Sequence, residues 1–255
     1  MIGLKATAWI SIATLIMCGL PLFNVAALDQ PAMSQSVGEQ TKNPDTAVGM
    51  PVYKPTMHGA PGGRVGGGTR SRGKDSPILS VLAPDHAGLT TEEQPTLLWY
   101  LSKPTTDPIE LTVVHSRDKQ TTLETKLQLP SKSGVQQVRL ADYGIHLLPG
   151  VQYQWFVALV PDPDRRAKDI IAGATIERIT PPKDIETKLA QGDKTSFPHI
   201  YADAGLWYDS VTSISNLIDT APNDLAFHKQ RASLLEQVGL VEIAQYDLNF
   251  NAAIQ

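Results

Sequence analysis

Between Pro77 and Thr180 the chain sets short apolar runs between clusters of turn residues. The pattern is clearest from Thr122 to Leu129, where Leu123, Leu127 and Leu129 share one parity while Glu124, Lys126 and Gln128 share the other. A period of two places successive side chains on opposite faces of an extended chain, so this run predicts a strand with one face in water. From Val151 to Val160 the apolar parity is held by Val151, Tyr153, Trp155, Val157 and Leu159, with Gln152 and Gln154 opposite. Ile78–Ala83, Thr96–Leu101, Ile109–His115, Val135–Leu140 and Ile170–Ile179 complete a set of about seven strands. With no helical period among them, they predict two stacked antiparallel sheets.

Local features narrow the fold class. In Leu148-Pro149-Gly150-Val151-Gln152-Tyr153 a turn leads into a late strand with Tyr near its start. This resembles the tyrosine corner of immunoglobulin- and fibronectin-like β-sandwiches, and Trp99 stands where those folds bury an aromatic on an early strand. Large aromatics at strand spacing are core residues, so Trp99, Tyr153 and Trp155 are expected inside.

After Pro181-Pro182 the period changes. Gly205, Ser210, Ile214, Leu217 and Pro222 fall at the spacing of the small, bulky and proline positions in the second half of a tetratricopeptide repeat. The expected helices are Asp184–Asp203, interrupted near Gly192 and Pro198, then Leu206–Asp219, then Asp224–Val238 with Asn223 as cap and Gly239 as stop. A single repeat cannot cover its own apolar stripe, here Leu206, Ile214, Leu217 and Ile218, so burial against the sheets or the last helix is expected. The fold class predicted is therefore α+β, a sandwich over 77–180 followed by a small TPR-like helical module over 181–255.

The N-terminus reads differently again. Lys5, an uncharged apolar run from Ala6 to Leu20 and the helix-breaking Pro21 have the form of a secretory signal peptide, with Val25 and Ala27 as the small residues before a cut after Ala27. The run is shorter than the ~20 apolar residues of a membrane-spanning helix. Met17 before Cys18 is too large for a lipidation site. The expectation is a periplasmic or secreted protein with no membrane span once the leader is removed. Cys18 is the only cysteine, so the mature chain would hold no disulfide, no Cys-ligated metal and no catalytic thiol. Removing Lys5 from 22 basic residues set against 26 acidic ones leaves a mildly acidic chain, which argues against nucleic acid. Leu28–Ser76 is rich in Gly, Pro, Ser, Thr and Gln, with Tyr53 its only aromatic, and reads as a disordered tether that docking on the following domain could order near its end.

Tests for chemistry come back empty. Gly62-Gly63-Arg64-Val65-Gly66-Gly67-Gly68-Thr69-Arg70 lacks the Lys of a phosphate loop and the strand and helix that would frame one. The loop Pro161–Asp169 carries Asp162, Asp164 and Asp169 but puts Arg166 where a calcium loop needs an oxygen ligand. His58, His86, His115, His146, His199 and His228 never stand at metal-ligand spacing. Ser71–Lys74 and Ser116–Lys119 match a serine-x-x-lysine pattern without its companion motifs, and no nucleophile elbow occurs. No metal, cofactor or catalytic residue is assigned.

Five blocks in order carry a resemblance. They are Pro61-Gly62-Gly63-Arg64 with Gly66–Arg70, Gly88-Leu89-Thr90-Thr91 leading to Pro95-Thr96, Tyr153-Gln154-Trp155, Asp162-Pro163 with Asp164-Arg165, and Gly205-Leu206-Trp207-Tyr208-Asp209. The chain resembles, over about Pro61–Leu248, the bacterial family known as domain of unknown function 928, common in cyanobacteria. It departs from the family's pattern at Val160, where Cys is frequent, at Arg166, where Ser is, and at Pro198, inside a helix elsewhere uninterrupted. The resemblance brings no activity with it. The leading expectation is a non-catalytic interaction module for a protein partner in the cell envelope, with Arg64, Arg70, Asp164, Arg165, Trp207 and Tyr208 as candidate surface. A second is a carbohydrate- or cell-wall-binding domain that stacks sugars on Trp207, Tyr208 or Tyr100. A third is a hydrolase using Asp164, Asp169 and Glu177.

Overall fold

The structure, a computed structural model, describes residues 49–56, 63–66 and 76–249. The expected leader, Cys18, Arg70 and most of the expected tether lie outside the described residues. The strands are β1 (Leu79–Val81), β2 (Gly88–Thr90), β3 (Thr96–Leu101), β4 (Ile109–His115), β5 (Thr121–Leu127), β6 (Gly134–Arg139), β7 (Gln152–Leu159) and β8 (Ile170–Arg178). The helices are α1 (Lys183–Gln191), α2 (Phe197–Asp203), α3 (Trp207–Thr220), α4 (Leu225–Gln237) and α5 (Val241–Leu248).

One sheet has three strands in the order β1-β3-β6, and the other has five in the order β2-β8-β7-β4-β5. Every pairing is antiparallel except β2 with β8. The seven runs read from the sequence are all strands. β2 is the addition: three residues are too few to show a period, and it forms by pairing parallel to the end of β8.

β3 explains how helices and sheets combine. Leu97 to Leu101 are all buried, whereas β4 alternates. On one parity of β3, Tyr100 meets Tyr246 of α5 edge-on, with ring centroids 5.5 Å apart. Leu97, Trp99 and Leu101 therefore face the other way, into the core shared with Leu111, Val113, Trp155, Val157, Ala172 and Ala174 of the five-stranded sheet. A strand covered on both faces needs no polar parity, hence Thr-Leu-Leu-Trp-Tyr-Leu.

The helices sharpen the reading at several points. The expected Asp184–Asp203 helix is two, α1 and α2. Between them Asp193 Oδ1 accepts from the Thr195 and Ser196 N–H groups, both at 3.0 Å. That turn stops one helix and starts the next, and Pro198 falls in the first turn of α2, where its missing N–H costs nothing. The cap of α4 is Asp224, not Asn223: Asp224 Oδ1 accepts from Ala226 N–H at 2.9 Å. Gly239 ends α4 with a φ of +75°, but the chain restarts as α5, an element the sequence reading lacked. Of the apolar stripe, Leu206, Ile214 and Ile218 are buried and Leu217 is half-buried. α3 lies on β2 and β3.

Candidate functional site

Trp207 and Tyr208 open α3 just after Gly205, and both are buried, 0% and 1% exposed. The reason is their polar tips. Trp207 Nε1–H donates to the Leu82 carbonyl at 2.8 Å. The Tyr208 hydroxyl accepts from Trp155 Nε1 at 2.9 Å and donates to the Thr175 carbonyl at 3.1 Å. Along the outer edge of β8, Gly173 pairs with Val65 and Ile176 with Gly88, and the Tyr208 hydroxyl fills the gap at Thr175. Burial pushes its phenol far above the usual range. Both rings are buried, where the sequence expectation set them on the surface. Tyr100, against Tyr246, is 9% exposed.

The same turn of α3 holds Asp209, 5% exposed. Its carboxylate accepts from the Thr91 N–H at 3.1 Å and the Thr91 hydroxyl at 3.0 Å. Burial drives its pKa up and the Thr91 bonds pull it back, leaving it at about 7. Two of the sequence blocks, 118 residues apart, thus meet at one carboxylate. Beside them a polar pocket of about 220 Å³ is lined by residues including Glu92, Tyr201, Thr212, Ser213 and Asn216. Burial, then the charges of Asp209 and Glu92, push the Tyr201 phenol up to about 12.

On the far side of Gly205 lies a second construction, missed in the sequence. Gly49–Thr56, assigned to a disordered tether, is an extended arm laid on the helices. Gln237 clamps its backbone: the side-chain amide donates to the Pro51 carbonyl at 2.9 Å and accepts from the Tyr53 N–H at 2.8 Å. Lys54 N–H donates to the Ala202 carbonyl at 3.0 Å, and the Lys54 ammonium pairs with Asp203. Tyr53 is 8% exposed, edge-on to Trp207 at 5.0 Å and parallel to His86 at 5.9 Å. Its hydroxyl lies 2.9 Å from His86 Nε2. Being the lone aromatic in a Gly/Pro-rich stretch was the only signal, and nothing in the sequence marked Gln237.

The remaining candidates do not gather. Arg64, with a side chain 14% exposed, donates to the carbonyls of Ala83 at 2.9 Å and Val238 at 3.2 Å and pairs with Asp85 at 3.2 Å. It rivets Gly63–Gly66 to the C-terminal end of α4, where a cation suits the helix dipole. Asp164 and Arg165 sit in the exposed β7–β8 turn. There Asp162 takes Arg165 at 2.6 Å and Lys168 at 3.1 Å, and these bonds hold its carboxyl below the usual range. Arg166 bridges Glu110 at 2.6 Å and Asp169 at 2.8 Å. Glu177 receives the Gln152 amide at 2.8 Å near the other end of β8. Asp164, Asp169 and Glu177 therefore share no bonding partner and line no common pocket among the described residues. No group of three or more His, Cys, Asp or Glu side chains suited to a metal occurs among the described residues.

A family model described as Domain of Unknown Function (DUF928) matches residues 65–248. The chain belongs to this family. The match spans the sheets and all five helices and begins after the Gly49–Thr56 arm. No curated protein matches the chain. Among solved structures, a crystal structure of a multi-domain immunophilin from Arabidopsis thaliana aligns with 69% of this chain and 94% of that one, at 8% identity and a TM-score of 0.16, which carries no argument. Among the described residues no helix is long and apolar enough to cross a membrane.

Proposed function

We propose that this chain is an exported, non-catalytic protein-interaction module, periplasmic or secreted, in which an immunoglobulin-like β-sandwich is closed by a TPR-like helical module. The sandwich reading is supported by the β1-β3-β6 and β2-β8-β7-β4-β5 strand orders and by Tyr153, whose hydroxyl accepts the Leu148 N–H at 3.3 Å as a tyrosine corner requires. The TPR-like reading is supported by α3 and α4, with Gly205 before the first and Pro222 between the two. Export rests on the leader's sequence.

The observation that carries the interaction reading is the arm. Its main chain is held by Gln237 and Ala202 and its aromatic is set between Trp207 and His86, which is how a protein surface holds an extended segment. The carbohydrate reading loses its stacking rings with Trp207, Tyr208 and Tyr100 buried. The carboxylates of the hydrolase reading stand apart, Asp169 beside Arg166 just before β8 and Glu177 beside Gln152 near its other end. The full chain, immobilised and exposed to an envelope extract, is expected to retain a defined protein reproducibly. Retention of nothing above an unrelated control, in repeated trials, would end the reading.

A further inference from the structure

We propose that the groove between α2, α4 and the Pro84–His86 turn is a peptide-recognition site, filled in this chain by its own Gly49–Thr56 arm and in a complex by an extended segment of a partner protein with the pattern Pro-x-Tyr-Lys. This rests on the interaction reading above and names the partner's chemistry.

Four independent features are shaped to an extended segment. The Gln237 amide reads backbone alone, donating to one carbonyl and accepting from the N–H two residues on, as a neighbouring strand would. Between those contacts Val52 is 59% exposed, so any residue fits there. The slot between Trp207 and His86 takes a flat ring with a hydroxyl at its tip, bonded to His86 Nε2 at 2.9 Å. Pro51 is buried, and Asp203 selects a basic residue after the tyrosine. Gly205 is the fourth. A Cβ there would stand 2.6 Å from the Lys54 carbonyl oxygen, and its φ of +74° is one other residues rarely adopt. The helical module thus omits a side chain where the ligand backbone passes.

Two observations say that the arm is replaceable and by what. Its described part, Gly49–Thr56, belongs to neither sheet and is held by one buried ring, one buried proline and scattered polar contacts. Elements of that kind open locally, well below the cost of global unfolding. An open cavity of about 370 Å³ runs beside the arm, lined by residues including Tyr53, Pro55, Pro84, His86 and Val238. A second copy's arm would leave that space as it is, whereas a partner with a larger apolar residue at the Pro55 position would fill it. The covalently attached arm competes at high effective concentration, so a partner segment must make this extra contact to win.

The test uses the full chain and a synthetic fluorescent peptide, Gly-Met-Pro-Val-Tyr-Lys-Pro-Thr, read by anisotropy. Tyr53→Ala in the chain frees the groove, and this variant is expected to bind the peptide saturably, at least tenfold more tightly than the wild-type chain. Adding Gln237→Ala to the variant, or Tyr53→Ala to the peptide, should weaken binding at least tenfold. A peptide carrying Pro55→Leu should bind more tightly than the parent. No saturable binding to a Tyr53→Ala chain of native circular dichroism, or binding indifferent to Gln237→Ala, overturns the proposal. No gain from Pro55→Leu, or a wild-type dimer abolished by Gln237→Ala, overturns the choice of a foreign partner over a second copy. Should Tyr53→Ala fail to fold, hydrogen exchange on the wild-type chain decides. Tyr53 and Lys54 amides exchanging by a local opening support a displaceable arm, and exchange only by global unfolding overturns it. Peptide binding without any partner retained from an envelope extract would leave the groove standing while removing the broader reading.

Discussion

Asp209 shows what a single buried side chain imposes. Its carboxyl titrates at about 7 in the folded chain against an ordinary 3.8, so between those values the folded state holds a proton that the unfolded state has released. Stability from this group is therefore full below the ordinary value and is lost as pH rises through about 7, by up to about 1.4 kcal/mol per pH unit. Thermal melts at pH 5 and pH 8 should show the chain less stable at pH 8. Asp209→Asn, which keeps an acceptor for Thr91 and never ionises, should narrow the gap; an unchanged gap would assign it to other groups. Tyr208→Phe tests the neighbouring position. Removing the hydroxyl strands the Trp155 indole N–H in the core, a loss of about 1–3 kcal/mol in a urea titration. Tyr153→Phe, which gives up only a longer bond near the surface, should cost less. At Gly205, alanine should cost about 1–2 kcal/mol in left-handed strain. It should also raise hydrogen exchange at Tyr53 and Lys54, because its Cβ displaces the arm.

Among elements, the joint between α3, α4 and α5 is polar. Arg231 donates to Asp247 Oδ2 at 2.8 Å and Oδ1 at 2.6 Å and to the Ser215 hydroxyl at 3.1 Å, and His228 Nδ1 lies 3.4 Å from Asp247 Oδ1. Burial raises the Asp247 pKa, but Arg231 and His228 outweigh it and hold the carboxyl below its usual value. Arg231→Ala would leave that carboxylate, at 0% side-chain exposure, without its guanidinium partner and should cost about 3–5 kcal/mol in chemical denaturation. Replacing both partners, Arg231→Met with Asp247→Leu, should recover most of it, because the desolvation of two charges is removed with their attraction. A double variant as unstable as the single would mean that the pair does more than neutralise itself. α5 shows why sequence reading stopped early. Gly239 is a true stop for α4, and the few residues beyond it carry too short a stripe to announce a helix. Its tertiary contacts justify it: Ile243, Ala244 and Asp247 are buried and Tyr246 meets Tyr100.

At the scale of the described molecule, the larger of two buried clusters decides the behaviour. Residues of both sheets and of α3, α4 and α5 fall in a single buried cluster, from Leu79 and Trp155 to Trp207, Leu235 and Ala244. Helices and sheets should therefore unfold together. Far-ultraviolet circular dichroism and tryptophan fluorescence are expected to give coincident denaturant transitions. A helical signal lost first would show the helices to be a separate unit.

Extended segments and the apolar stripe of α3 were legible because they depend on residues close in sequence, where side-chain period and turn chemistry act. The strands Thr96–Leu101 and Ile109–His115 match their predicted bounds for that reason. Contacts between distant residues were not legible. Trp207 and Tyr208 looked like surface aromatics because their acceptors, Leu82 and Thr175, stand far away in the chain. The arm looked like a tether because a Gly/Pro-rich stretch has no core of its own. Sequence alone determined seven of the eight described strands, the helices up to α4 and most of the positions that must avoid water. Folding alone decided which buried polar tips find partners and that Gln237, Asp203 and Gly205 converge on Tyr53 and Lys54, since such convergence is a property of packed distance, which no local pattern records.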